Sequence, residues 1–223
     1  MHLGIIPDGN RRYAREKGIS KERAYRKSKD VILDLFDNVD DMPVDIDETT
    51  FYLLSEDNLR RDEEELETLF ELLSEQIEET ASHFNGKGFA FNWVSTRPEA
   101  LPGYLREKLS DLEEEYGSGE KQLNVLIAYS GRQDIVRSAD RVCEESGEFS
   151  REAIRGNLGI QSDIDFVIRS GDNPTREAIS DFPIWNASYA EYYHVKKHFP
   201  ALETSDIEQA LHHFRKLRRK KGE

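Results

Sequence analysis

Short apolar runs alternate with amphipathic stretches along the chain. Five runs have the length and the mainly apolar composition of strands that are buried on both faces. They cover residues 2–7, 49–54, 88–94, 122–129 and 163–170. Strands that alternate with helices form parallel sheets whose faces the helices cover. The pattern therefore predicts a single α/β domain over residues 1–223, with a mostly parallel central sheet of about six strands flanked by helices.

The longest helical stretch lies between the second and third apolar runs. Its apolar stripe consists of Leu66, Leu69, Phe70, Leu73 and Ile77. Asp62 and Glu65 have the spacing of an N-cap residue and its capping-box partner. Further helices are predicted over residues 100–117 and 130–146, and from about Ser205 onwards. Helices are therefore available between the strands to cover the sheet.

Charge and composition narrow the class of protein. The formal net charge is −14, which argues against a nucleic-acid partner because phosphates would be repelled. Ordinary cytoplasmic proteins and proteins adapted to high salt both carry acidic surfaces, and both origins stay open. The single cysteine, Cys143, excludes a disulfide within the chain. No signal peptide is visible and no apolar run approaches the ~20 residues of a membrane-spanning helix, so we expect a cytoplasmic protein.

Polar clusters follow four of the predicted strands. They cover residues 8–12, 55–61, 129–134 and 169–176. Because ligands of parallel α/β sheets bind at the carboxyl ends of the strands, we expect the clusters to share one edge of the sheet. Their arginines match phosphate oxygens, and a carboxylate among them is suited to Mg²⁺ that bridges the oxygens of a diphosphate. Together the clusters predict a phosphate-binding site.

Each cluster taken alone has a simpler interpretation. Asp8 and Arg12 have the spacing of an ion pair at a helix start, and Asp57 and Asn58 are residue types that cap turns. Neither the P-loop pattern nor the G-x-G-x-x-G pattern occurs, so an ordinary nucleotide site is not predicted. A phosphohydrolase with Asp8 as its nucleophile would need an aspartate two positions later, where the chain has Asn10.

Five sequence blocks carry a resemblance to a known family. They read HLGIIPDGNRRYAREKG, YLLSEDNLRR, LNVLIAYSGRQDIV, DFVIRSG and SDFPIWNASYAEYYHV. In content and order these blocks resemble the cis-prenyltransferases, the undecaprenyl diphosphate synthase family, over nearly the whole length of the chain. The resemblance implies the α/β fold already predicted, with an apolar tunnel for a growing prenyl chain. Core packing would give the same apolar pattern, so the sequence does not separate a tunnel from a packed interior.

The resemblance implies a Mg²⁺-dependent prenyltransferase. Such an enzyme condenses isopentenyl diphosphate onto an allylic diphosphate and makes a new cis double bond in each cycle. The product would be a polyprenyl diphosphate, a precursor of lipid carriers. By this resemblance Asp8 is catalytic and holds Mg²⁺ with the diphosphates, while Ser55 and Asn58 act in removing a proton from isopentenyl diphosphate.

The resemblance also implies the residues that bind the two diphosphates. Those of the allylic diphosphate site are Gly9, Asn10, Arg11, Arg12, Tyr13 and Arg61. Those of the isopentenyl diphosphate site are Arg169, Arg176 and Ser180. Glu191 matches a second Mg²⁺ ligand, which the family supplies within a dimer, so a homodimer is expected.

The chain departs from the family pattern at several positions. The segment from Arg169 to Ser180 is longer than in the family, which changes the spacing of Arg176. Tyr25 stands where the family commonly has histidine, and Leu53 stands where long-chain members commonly have a smaller residue. Bulk at Leu53 predicts a shorter tunnel and a shorter product. The primer and the product length are otherwise left open by the sequence.

Two further alternatives stay open. A non-catalytic paralogue or partner subunit of the same fold would keep most of these motifs. The basic tail, residues 212–223, has three interpretations: a solvated helix end, a contact with anionic lipid, or a segment near the dimer interface.

Overall fold

A parallel sheet forms the centre of the computed structural model, which describes residues 1–145, 147–171 and 178–217. Its strands are β1 (His2–Ile6), β2 (Glu48–Ser55), β3 (Phe89–Val94), β4 (Lys121–Tyr129), β5 (Phe166–Ser170) and β6 (Glu191–Val195). They lie in the order β3-β4-β2-β1-β5-β6, and every neighbouring pair is parallel. The predicted α/β class and the predicted six-stranded sheet are therefore confirmed.

The connections between the strands are mostly helical. The helices are α1 (Asn10–Lys17), α2 (Lys21–Asp37), α3 (Glu63–Gly86), α4 (Gly103–Tyr116), α5 (Gly131–Glu145), α6 (Arg151–Gly156) and α7 (Thr204–Lys216). A 3₁₀ turn (Glu56–Arg60) joins β2 to α3. No helix in the part of the chain that the structure describes has the length and apolar character that crossing a bilayer requires.

The sequence patterns do not single out α2 and β6. The first half of α2 is mostly charged, and the helix begins because Ser20 caps it by accepting from the Arg23 N–H at 3.2 Å. β6 is an edge strand of the sheet and only Val195 is fully buried in it, so it lacks a continuous apolar run.

Apolar side chains cover both faces of the sheet. On one face Phe36 of α2 packs on Phe84 of α3 with ring centroids 3.7 Å apart, and both contact Phe89 of β3. On the other face Tyr52 lies beside Tyr129 and Phe182. The core therefore holds the carboxyl ends of the strands in a fixed arrangement at one edge of the sheet.

The start of α3 differs from the prediction. Asp62 is the N-cap residue, as its position predicts, but its side chain makes no capping hydrogen bond. The expected capping box with Glu65 is therefore wrong. Glu65 is instead held by cationic side chains of α1 and of neighbouring segments.

Candidate functional site

A polar cavity of about 440 Å³ opens at the carboxyl edge of the sheet. Its polar wall consists of Asp8, Gly9, Asn10, Arg11, Arg12, Arg15, Tyr25, Ser55, Asn58, Arg61, Arg169 and Ser180. Most of these residues belong to three of the four strand-end clusters, after β1, β2 and β5. The exceptions are Arg15 on α1, Tyr25 on α2 and Ser180, which lies just beyond the cluster after β5. Among the described residues, the topology therefore gathers arginines, amides, hydroxyl groups and one carboxylate around a single space.

Asp8 lies at the centre of this wall, just after β1. Its Oδ1 accepts from Arg12 Nη2 at 3.2 Å, and its Oδ2 accepts from Arg169 Nη2 at 2.7 Å. Burial alone would raise the pKa of the Asp8 carboxyl, but the hydrogen bond from Arg169 and the charges of both guanidinium groups outweigh it, so the pKa is lowered. The carboxylate is therefore charged at neutral pH and can bind a cation.

Gly9 sets the path of the chain from β1 into α1. Its φ is 101°, a left-handed conformation that favours glycine, and a Cβ there would lie 2.4 Å from Nδ1 of His198. The glycine caps α1 without a side-chain hydrogen bond, so the N–H groups of the first turn are available to an anion. Asn10 is fixed beside it, because its Oδ1 accepts from Ser28 Oγ at 2.5 Å.

Glu65 holds three cations, of which Arg11 and Arg61 line the cavity. Its Oε1 lies 3.3 Å from Arg11 Nε and 3.4 Å from Arg61 Nη1. Its Oε2 accepts from Lys21 Nζ at 2.7 Å, and the side chain is only 9% exposed. Burial alone would raise the pKa of Glu65, but Lys21 and the two arginines outweigh it, so the pKa is lowered. The sequence analysis missed this role, and the only available signal was the i,i+4 spacing of Arg61 and Glu65.

Ser55 and Asn58 lock together where β2 ends. The Ser55 N–H donates to Asn58 Oδ1 at 3.3 Å, and the Ser55 side chain accepts from the Asn58 N–H, which is a complete capping box. The turn-capping interpretation of Asn58 is therefore correct, and the same turn places both residues in the cavity wall. Next to them Arg61 Nη1 donates to the Tyr25 hydroxyl at 3.1 Å.

Arg169 joins the β5 side of the cavity to the chain that follows. It is 7% exposed, and its Nη1 donates to Ser180 Oγ at 2.8 Å and to the Ala178 carbonyl. Ser180 and Asp181 both have positive φ values, 51° and 64°, so this turn is held in a conformation that such residues rarely adopt. Arg176, the third residue assigned to the isopentenyl diphosphate site, lies outside the described residues.

The fourth strand-end cluster supports this turn instead of lining the cavity. Ser130 Oγ donates to the Asp181 carboxylate, and the Gly131 N–H donates to the Asp181 carbonyl at 2.8 Å. Tyr129 donates its hydroxyl to Asp134 at 2.8 Å, away from the open space. The expectation that all four clusters face the phosphate site is corrected, because the strand-end rule gives the edge of the sheet but not the direction of each side chain.

Two other assigned residues lie away from the cavity. Tyr13 is buried with Ala14 and Ala24, edge-on to the His198 ring. Glu191 begins β6 in register with Phe166, at the amino end of the strands, whereas Asp8 follows the carboxyl end of β1. A single chain does not bring Glu191 to Asp8. Among the described residues no group of three or more metal-ligating side chains is present.

A second, mainly apolar cavity of about 90 Å³ adjoins the first. The two share lining residues Pro7, Asn10, Tyr25, Leu53 and Leu69. The remaining apolar wall of the second cavity is made by Ile32, Phe51, Leu72, Leu73, Ile77, Leu123 and Val125. The arrangement offers a charged space for a diphosphate and an adjacent apolar space, between the sheet and helices α2 and α3, for a hydrocarbon.

Comparisons with known sequences agree with this chemistry. The family model described as putative undecaprenyl diphosphate synthase matches residues 6–222. An isoprenyl transferase of Campylobacter jejuni is 29% identical over 222 residues, covering 99% of this chain and 97% of the relative. A tritrans,polycis-undecaprenyl-diphosphate synthase (geranylgeranyl-diphosphate specific) of Thermoplasma acidophilum is 31% identical over 235 residues, covering 99% of this chain and 88% of the relative.

Solved structures have the same fold. The lavandulyl diphosphate synthase from Lavandula x intermedia, in complex with dimethylallyl diphosphate, superposes with a TM-score of 0.86 at 21% identity, over 100% of this chain and 98% of that one. A probable undecaprenyl diphosphate synthase from Campylobacter jejuni gives a TM-score of 0.77 at 26% identity, with the same coverage.

Proposed function

The chain belongs to the prenyltransferase family described as putative undecaprenyl diphosphate synthase, and from that premise we propose that it catalyses cis-prenyl chain elongation. Isopentenyl diphosphate is condensed onto an allylic diphosphate to give a polyprenyl diphosphate. The observation that carries the proposal is the pair of adjoining cavities, one walled by Asp8 and arginines and one walled by apolar side chains. Such a pair matches a substrate with a charged head and a hydrocarbon tail.

The allylic diphosphate is bound by the wall that follows β1 and by Arg61, which follows β2. Arg11, Arg12 and Arg61 supply guanidinium forks for its oxygens. Gly9 takes the left-handed conformation that turns the chain into α1, and the first turn of α1 offers N–H donors to the phosphates. The isopentenyl diphosphate is bound on the β5 side, where Arg169 and Ser180 are already joined.

The residues around Asp8 fit a bound Mg²⁺. Proteins usually hold this ion with one or two carboxylates and the oxygens of substrate phosphates, and Asp8 is a charged carboxylate at 31% exposure in the cavity wall. Its two arginine partners also match phosphate oxygens, so a diphosphate that engages them frees the carboxylate for the metal. Bound there, Mg²⁺ would neutralise the charge that builds on the departing diphosphate.

The reaction breaks the allylic C–O bond and forms a new C–C bond to isopentenyl diphosphate. Inorganic pyrophosphate leaves with the bonding electron pair, and one proton is lost from the isopentenyl carbon chain. Arg12 and Arg61 stabilise the leaving group, and the departing pyrophosphate accepts the proton, a transfer that the locked pair Ser55 and Asn58 orients. The apolar neighbour cavity keeps water from the cation-like allylic carbon.

A homodimer along β6 is the proposed assembly. β6 is an edge strand, and Tyr192 within it and Tyr189 just before it are 45% and 95% exposed. Glu191 starts the same strand, so a second copy packed there could carry its Glu191 towards the metal of its neighbour. Sedimentation of the purified protein as a monomer at assay concentration would contradict this assembly.

The protein is proposed to work in the cytoplasm with a peripheral membrane contact. The last turn of α7 carries His213, Arg215 and Lys216, and the rest of the basic tail, residues 218–223, lies outside the described residues. Cations of this kind bind anionic lipid, where an apolar product accumulates. Co-flotation with anionic vesicles and not with neutral vesicles is the expected result.

The function is tested by incorporation of labelled isopentenyl diphosphate. The protein is incubated with Mg²⁺ and with allylic diphosphates of several lengths, in low and in high salt. Asp8→Ala should lower incorporation by at least about 100-fold, because it removes the carboxylate that faces both substrates. Asp57→Ala is the matched control, since Asp57 belongs to a strand-end cluster but is exposed and lies outside the cavity.

Two outcomes would overturn parts of this proposal. An absence of incorporation with every primer, in protein that still binds pyrophosphate, would favour the non-catalytic paralogue or partner subunit. Full activity of Asp8→Ala would show that the protein catalyses the reaction but that Asp8 is not its catalytic centre.

A further inference from the structure

One arginine of the polar cavity wall, Arg15, has no counter-ion in the part of the chain that the structure describes. The arginines that line this cavity are Arg11, Arg12, Arg15, Arg61 and Arg169. The carboxylates of Asp8 and Glu65 pair with the other four, at distances between 2.7 and 3.4 Å. Within residues 1–145, 147–171 and 178–217, the Arg15 side chain makes no hydrogen bond and no ion pair. Its guanidinium group is therefore available to a ligand.

Arg15 lies at the outer end of the cavity wall. The side chain of Arg169 is 8% exposed, that of Arg12 is 32% exposed and that of Arg11 is 52% exposed. Arg15 is exposed as well, and it follows Arg11 by one turn of α1, which places it about 6 Å further along the helix from the end of β1. A substrate that arrives from solution thus meets Arg15 before it reaches the paired arginines.

The rest of the protein opposes the arrival of an anionic substrate. The chain has a formal net charge of −14, so a diphosphate is repelled by most of the surface. The paired arginines attract it only at short range, because Asp8 and Glu65 offset their charge at a distance. The charge of Arg15 has no such offset, and its attraction extends over about 8–10 Å at ordinary salt concentrations.

We propose that Arg15 is the capture residue of the polar cavity, whose positive charge attracts the diphosphate group of the allylic substrate and speeds its association. This inference rests on the proposed function. The allylic substrate is the one concerned, because Arg15 extends the side of α1 on which Arg11 lines the cavity. Once inside, the diphosphate is held by the inner arginines. Arg15 therefore acts on association more than on dissociation, as charges at the rim of a site do.

The test measures association without turnover. An allylic diphosphate with a fluorescent anthraniloyl group at the end of its tail is mixed with the protein in EDTA, and both rates are followed by stopped-flow fluorescence. We expect Arg15→Gln to slow association about 3- to 6-fold at about 20 mM salt, and by less than about twofold at about 0.5 M salt, because salt screens the attraction. Dissociation should change by less than about twofold.

Two further variants separate charge from structure. Arg15→Lys keeps the charge and should associate at nearly the wild-type rate. Lys17→Gln is the matched control, because Lys17 is an exposed cation of the same helix that does not line the cavity. It removes the same charge and should slow association by less than about 1.5-fold. All three variants should unfold within about 1 °C of the wild type, as expected for exposed side chains without partners in the described part of the chain.

Three outcomes would overturn the inference. The first is association of Arg15→Gln at the wild-type rate in low salt. The second is an equal slowing at low and at high salt, or in Arg15→Lys, which would show that the effect does not come from the charge. The third is an equal slowing in Lys17→Gln, which would assign the attraction to the overall charge of the protein. If association depends on Arg15 but the protein incorporates no isopentenyl diphosphate, the proposed function fails while this inference stands.

Discussion

At the scale of single residues, Glu65 is the acid that holds three cations, two of which, Arg11 and Arg61, line the polar cavity. Arg11, Arg61 and Lys21 all lie within 3.4 Å of its carboxylate, which is 9% exposed. The diphosphate and Glu65 compete for the same positive charges, but only Glu65 is present throughout the cycle. We infer that Glu65 keeps the arginines ordered, and offsets the repulsion between their charges, until the substrate binds.

Glu65→Gln should therefore weaken both stability and substrate binding. The variant leaves three cations without a compensating charge, so we expect the midpoint of thermal unfolding to fall by about 2–4 °C and KM for the allylic diphosphate to rise about 3- to 10-fold. Thermal unfolding and steady-state kinetics check this. Glu67→Gln, at an exposed position on the same helix, should match the wild type. A lower KM in Glu65→Gln would mean that Glu65 only competes with the substrate.

The lowered pKa of Glu65 adds a pH signature to this prediction. The pKa of the Glu65 carboxyl is lower in the folded than in the unfolded chain, where it is about 4.3. The carboxylate therefore stabilises the fold at pH values above this unfolded pKa. That contribution is lost as the pH falls through the pKa of the folded state. The difference in stability between the wild type and Glu65→Gln should thus be constant near neutral pH and shrink in acid.

At the scale of elements, the start of α5 is pressed against the turn that presents Ser180. A Cβ on Gly131 would come within 2.7 Å of the Phe182 carbonyl oxygen and 2.9 Å of the Ile184 nitrogen. Both are backbone atoms, so they cannot move aside as the end of a flexible side chain could. Gly131 therefore sets how closely α5 supports the turn, and through it the position of Ser180 relative to Arg169.

Gly131→Ala should displace that turn. We expect a loss of about 1–3 kcal/mol in the free energy of unfolding and a several-fold rise in KM for isopentenyl diphosphate, with a smaller change for the allylic substrate. Chemical denaturation and kinetics measure the two effects. Gly86→Ala is the matched control, because nothing lies within 4 Å of its added Cβ. Equal behaviour of the two variants would show that the turn does not depend on this contact.

The same elements show what a sequence can and cannot predict. Five strands are visible because their apolar runs are continuous, while β6, at one edge of the sheet, is half-polar and gives no such run. Asp8 and Arg169 can be placed at one sheet edge by topology alone. The spacing of Asp62 and Glu65 is that of a capping box, and only the tertiary approach of α1 turns Glu65 towards Arg11 instead. Likewise, nothing in the sequence reveals that Tyr13 is buried away from the cavity.

At the scale of the whole molecule, the two adjoining cavities limit how much hydrocarbon the fold can hold. The polar cavity measures about 440 Å³ and the apolar one about 90 Å³ by the same measure. Leu53 lies on β2 in the wall of both, where the growing chain would pass from one into the other. We propose that this leucine restricts the passage and keeps the product short.

Leu53→Ala should lengthen the product. Removing three carbon atoms at the junction widens the passage, at a cost of up to about 2–3 kcal/mol in the free energy of unfolding, since the side chain is only partly buried. Mass spectrometry of the dephosphorylated products measures the change in length. Leu66→Ala is the matched control, because Leu66 packs on the same core but lines neither cavity. If the wild type already makes long polyprenyl chains, or if both variants give the wild-type lengths, the restriction lies elsewhere and the cavities must open together as the chain grows.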